Sequence, residues 1–183
     1  MKLETGNNAS IITLKGITPE IQPGGFFCEG VRIIGDVKIG KDVSVWYNSV
    51  IRGDVHYIRI GDRCNIQDLC LLHVTNGRFP LNIGNDVSIG HAARVHGCTL
   101  KDKCLIGIGA IVLDGAIIGE NALVAAGSVV KEGFEVPSGT LAAGVPAKII
   151  RELTNDEKEA VANTAANYMK YADNYRRELT MNK

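Results

Sequence analysis

Along the middle of this chain an aliphatic or aromatic residue returns every six positions. The series runs through Phe27, Ile33, Ile39, Val45 and Ile51, then Ile60, Ile66 and Leu72, then Ile83, Ile89 and Val95. It resumes at Leu100 and continues through Ile106, Val112, Ile118, Val124 and Val130. Four residues after most of these lies a smaller side chain, as at Val43, Ser49, Val55, Cys64, Cys70, Val87, Ala93, Thr99, Cys104, Ala110 and Ala122. After Leu72 that offset falls on Asn76, inside an insertion, and is not a clean match. A period of six belongs neither to an amphipathic helix nor to a half-buried strand. It is the hexapeptide signature of a parallel β-helix, whose short strands stack coil upon coil around an aliphatic interior. The expected fold is all-β, a left-handed parallel β-helix with three hexads per triangular coil. Glycines that follow the aliphatic residues, at Gly40, Gly61, Gly84, Gly90, Gly107 and Gly119, are read as corner residues.

The repeat is expected from Phe27 to Val130, after a polar start and a turn at Pro23, Gly24 and Gly25. The segment LAAGVPAKIIREL then leads out of it. Thr154 and Glu157 have the spacing of a capping box, and an apolar face follows at Val161, Ala165, Tyr168, Ala172, Tyr175 and Leu179. These predict a C-terminal helix packed along the coils rather than one held ready for a partner. The division is therefore 1–153 for the β-helix and 154–183 for a helix that packs on it, together one structural unit.

The remaining composition mostly excludes. A chain of 183 residues with 45% hydrophobic content suits one domain, and its formal net charge of zero, without a basic stripe, speaks against nucleic acid. No apolar run reaches the ~18 residues of a membrane span. The start MKLETGNNAS lacks the apolar core of a signal peptide, so a cytoplasmic location is expected. Cys64, Cys70 and Cys104 fall in the small inward position and read as buried thiols; no CxxC suggests redox or thiolate-metal chemistry.

Register turns this fold into a chemical expectation. Counted from Ile39, the residues Ile51, Leu72, Val95 and Val112 occupy the third side of successive coils, once extra residues after Ile51 and Leu72 are looped out. The next residues then form a column: Arg52, His73, His96 and Leu113. With strands ~4.8 Å apart, His73 and His96 can close on one ion at the ~2.0–2.1 Å of a Zn–N bond. His91 lies two steps past Ile89 on the second side and cannot join them within one chain. A threefold ring of chains would supply it from a neighbour. Asp68, one coil before His91, is placed to brace it. His56 is read as an ordinary surface or core histidine.

The runs SVWYNSVIRGDVHYIRIGDRCNIQDLCLLHV, IGNDVSIGHAARVHGC and LAAGVPAKIIREL together resemble the γ-class carbonic anhydrase family, over about Phe27 to Leu153. The resemblance implies a homotrimer with three zinc sites between subunits, iron(II) or cobalt(II) being compatible alternatives. It assigns His73 and His96 to one subunit and His91 to the next. It makes Arg52 and Asp54 an interface and active-site pair, for which a purely structural ion pair is the competing reading. It places Asn65, Gln67 and Asp68 beside the metal, Gln67 positioning bound water.

Two departures stand out. Val55 follows Asp54 where the founding enzymes carry a glutamate, and VTNGRFPLN after His73 has no carboxylate where they have an acidic loop. The expected activity is therefore reversible, and weak, hydration of CO2 to bicarbonate. The alternatives are a hexapeptide-repeat acyltransferase, in which one histidine acts as general base, and a metal-stabilised trimeric accessory protein without turnover.

Overall fold

Each inward aliphatic residue stacks directly on its counterpart in the next coil. In the computed structural model, which describes residues 9–181, the third-side ladder is Ile11, Ile33, Ile51, Leu72, Val95, Val112 and Val130. The first side carries Ile21, Ile39, Ile60, Ile83, Leu100, Ile118 and Val136. The second carries Phe27, Val45, Ile66, Ile89, Ile106, Val124 and Ala142. The strands pair in parallel, and the whole is a left-handed β-helix of about seven turns. Nearly every ladder residue is buried, and burying such a side chain contributes roughly 1.5–3 kcal/mol.

The solenoid is longer than the repeat Phe27–Val130. Strands Ser10–Ile12 and Glu20–Ile21 add to its start, and Glu135–Val136 and Thr140–Gly144 add to its end. Ile21, Val136 and Ala142 keep the six-residue spacing, so this extension was present in the pattern. Strand Ala147–Glu152 then turns back antiparallel on Thr140–Gly144.

The irregular segments lie elsewhere than the four-residue offset suggests. Gly35 pairs with Gly53, but Val37 pairs with Ile58, so the extra residues leave between these points, at the corner joining the third side to the first. The inward residues beyond that corner are Ile58, Leu81 and Cys98, all buried. Val55 is partly buried, Asn76 exposed and Thr99 partly buried. Both insertions therefore flank the column that begins at Arg52.

The glycines following the ladder serve a different purpose from the one expected. None of Gly40, Gly61, Gly84, Gly90, Gly107 and Gly119 has positive φ; the left-handed residue lies two positions on, at Asp42, Arg63, Asp86, Ala92, Gly109 and Asn121. A Cβ on Gly61 would lie 2.5 Å from the Gly84 carbonyl. Coil-to-coil contact, not turn conformation, requires glycine there.

The helix Asn155–Met181 begins at the capping box. The Glu157 N–H donates to Thr154 Oγ1 at 3.2 Å, and the Thr154 N–H donates to Glu157 Oε2 at 2.9 Å. Val161, Ala165 and Ala172 are buried. Tyr168 and Tyr175 meet Trp46 edge-on at 5.4 and 5.2 Å. The helix thus covers the outer surface of the second side, where Phe26, Cys28 and Trp46 point outward. All five cysteines are free and buried, and burial pushes the Cys28, Cys64 and Cys70 thiols up to about 12. Among the described residues no helix is long and apolar enough to cross a membrane.

Candidate metal centre

Strands Leu71–His73 and Arg94–His96 pair so that Leu72 meets Val95 inside the coil and His73 meets His96 outside. Alternation along a strand dictates this, since the residue after an inward one points out. The rings stand 5.0 Å apart, with His73 Nδ1 3.0 Å from His96 Nε2. His73 Nε2 lies 2.8 Å from Asp54 Oδ1, and the other oxygen of that carboxylate takes Arg52. Burial raises the Asp54 carboxyl, but the bonds from His73 and Arg52 outweigh it and hold it below the ordinary value. Asp54 sits in the first insertion, whose outward course brings it over His73.

His96 has its own carboxylate. Its Nδ1 lies 2.6 Å from Asp114 Oδ1, while Thr75 Oγ1 donates to Asp114 Oδ2 at 2.5 Å. Burial raises Asp114 as well, and hydrogen bonds from Thr75 and His96 bring it below the usual range. Neither Asp114 nor Thr75 was legible as a site residue. Asp114 is one step beyond the column position of Leu113, and the corner turns it back toward His96.

His91 stands on the second side, among the other half of the expected residues. Its Nδ1 is 2.8 Å from Asp68 Oδ2, and its backbone N–H donates to Gln67 Oε1 at 3.2 Å. Gln67 Nε2 donates to Asn65 Oδ1 at 3.1 Å, and Asn65 Nδ2 donates to Ser88 Oγ at 2.6 Å. Asn65 and Gln67 are buried; Gln67 Oε1 accepts from the His91 backbone, while Gln67 Nε2 is tied to Asn65. Tyr168 of the C-terminal helix reaches His91 Nε2 at 3.4 Å. That contact had no signal beyond the helical face itself. His56 accepts a bond from the Tyr57 N–H at 2.9 Å and lines a cleft of about 390 Å³ with Lys15, Asp54 and Asn76.

The expected residues therefore form two groups, Arg52, Asp54, His73 and His96 on one face and Asn65, Gln67, Asp68 and His91 on another. Among the described residues, no three His, Cys, Asp or Glu side chains of one chain converge as a metal-binding group. The donor set nevertheless suits zinc in two respects. Two nitrogens on one tetrahedral ion at ~2.0–2.1 Å stand about 3.4 Å apart, close to the His73–His96 spacing. Each of the three histidines also has one ring nitrogen on a carboxylate, the usual support of a metal-ligating imidazole.

Residues 97–132 match the family model "Bacterial transferase hexapeptide (six repeats)". A Methanocaldococcus jannaschii protein named "Probable carbonic anhydrase" is 52% identical over 79% of this chain and 91% of its own length. "Gamma carbonic anhydrase 2, mitochondrial" of Arabidopsis thaliana is 41% identical over 85% of this chain and 58% of its own length. This chain belongs to the γ-class carbonic anhydrase family. A solved hexapeptide transferase family protein from Anaplasma phagocytophilum has a TM-score of 0.85 and 40% identity, covering 90% of this chain and 97% of that one. Carbonic anhydrase and transferase names thus meet on one scaffold, and the scaffold alone does not choose between them.

Proposed function

We propose that this protein is a zinc-dependent carbonic anhydrase whose sites lie between the subunits of a homotrimer, His73 and His96 coming from one subunit and His91 from its neighbour. The observation that carries the reading is the His73–His96 register pair, with facing nitrogens 3.0 Å apart, in a chain whose third supported histidine is on another face. Exposed aliphatic side chains support a neighbour, since Leu69 and Ile108 are 63% and 58% exposed and Leu71 lies two residues from His73. A neighbouring subunit would cover these side chains where they adjoin one another.

Zinc, when bound, supplies a Lewis acid that makes water acidic enough to act as a nucleophile near neutral pH. The chain supplies the rest. Asp54, Asp114 and Asp68 orient the three imidazoles. Arg52 pairs with Asp54 and so ties the site to the rim that a neighbour would meet. Asn65 and Gln67 hold the backbone at His91, which fixes the second face against which CO2 and bicarbonate would be bound. The transferase match favours a second reading, acyl transfer with one histidine as general base, but that chemistry does not call for three carboxylate-backed histidines.

Metal analysis and stopped-flow CO2 hydration on the purified protein test the proposal. The expected result is about one zinc per chain in a trimer, with hydration abolished in His73→Ala, His91→Ala and His96→Ala. A metal-loaded protein with no hydration above background would leave the accessory role standing, and acyl transfer without bound metal would support the transferase.

A further inference from the structure

Gly97 follows His96 directly, and a Cβ there would collide with Asp114 Oδ1 and come within 2.8 Å of Phe79 Cβ. The missing side chain leaves the space through which the Asp114 carboxylate reaches His96 Nδ1. From the far side Thr75 binds the second oxygen. Thr75 belongs to the insertion after His73, closed by the Thr75–Phe79 bridge. The loop that follows one histidine therefore clamps the carboxylate that faces the other.

We propose that Asp114, clamped by Thr75 and admitted by Gly97, is a positioning residue that fixes the tautomer and ring orientation of His96 for metal binding. An ionised carboxylate only accepts hydrogen bonds, so the bond to Asp114 keeps the proton on His96 Nδ1. The Nε2 lone pair then faces His73, which is the geometry a shared ion requires. The inference rests on the metal reading above, yet its first readout needs no metal.

Nitrogen-15 NMR of the metal-free protein should show His96 protonated on Nδ1. Asp114→Ala and Gly97→Ala should both lose that tautomer, the second by displacing a carboxylate that is still present. Zinc affinity, measured by chelator competition, should fall about 10- to 100-fold in both. Thr75→Val should give a smaller fall and Thr75→Ser should restore it. If Asp114→Ala fails to fold, Thr75→Val and Thr75→Ser decide the matter, since an alanine at Gly97, whose φ is +49°, would also strain the backbone beside His96. An affinity within twofold of wild type in the folded variants overturns the proposal, and so does a lowered affinity with the His96 tautomer unchanged. Wild-type protein that binds no zinc would refute the metal reading instead, while the tautomer measurement would still judge the role of Asp114.

Discussion

His73 Nδ1 and His96 Nε2 face one another at 3.0 Å across adjacent coils, the outer continuation of the contact that Leu72 and Val95 make within. An ion that binds both facing nitrogens needs both lone pairs free, so any proton held there must leave. Zinc uptake should therefore release protons and weaken as pH falls. Titrating zinc into metal-free protein in dilute indicator buffer measures the release. Zinc affinity that does not fall as pH is lowered would mean the facing nitrogens are not the ligands.

Ligand sharing has a direct consequence for mixtures. Trimers assembled from His91→Ala and His73→Ala subunits should regain some intact sites, because one chain's His91 can meet another chain's His73 and His96. Metal content and hydration should exceed those of either variant alone. Mixed trimers no better than their parents would rule out the shared arrangement.

Proton transfer should limit turnover. The carboxylates beside the histidine pair, Asp54 and Asp114, are both held below the ordinary range and committed to hydrogen bonds. A proton carrier works best with a pKa near the working pH, and a positioned one contributes about 10²- to 10⁴-fold. Val55 cannot serve. Hydration in weak buffer should thus be slow and should rise with added imidazole, and Val55→Glu should lessen that dependence. Fast turnover in dilute buffer that ignores imidazole would reveal a carrier elsewhere.

The helix cap is separable from the site. Thr154→Ala should cost the C-terminal helix about 1 kcal/mol, seen as earlier loss of helical circular dichroism in urea. Glu157 is bound by Arg151 and by the Thr154 N–H, which lowers its carboxyl from 4.5 to about 2. Its contribution is present above pH 4.5 and disappears as pH falls through about 2. Glu157→Gln should flatten the acid limb of the helix signal, and an unchanged limb would show that other carboxylates set it.

The ladder was legible because a period of six leaves its mark on every coil, and the pairing of His73 with His96 follows from that count once the extra residues after Leu72 are looped out. The positions of Ile58, Leu81 and Cys98 were not, since an insertion shifts the inward position by an amount that depends on which corner it leaves from. The glycines after the ladder were located correctly but for the wrong reason. Sequence shows that a side chain is absent, whereas the neighbouring coil that excludes it appears only in three dimensions. Asp114 was hidden in the same way, its contact to His96 made possible by the space above Gly97. The resemblance placed Asn65, Gln67 and Asp68 beside the metal with Gln67 positioning bound water, whereas the Gln67 amide contacts the His91 backbone and Asn65.

A solenoid whose coils touch only their neighbours behaves like a stack of plates, loosest at its two ends. His73 and His96 follow the fourth and fifth of the seven third-side rungs, at the middle of the stack. Three rungs below and two above can fray before either histidine loses its neighbour, so the chain can breathe at its ends while its central spacing of 3.0 Å stays fixed.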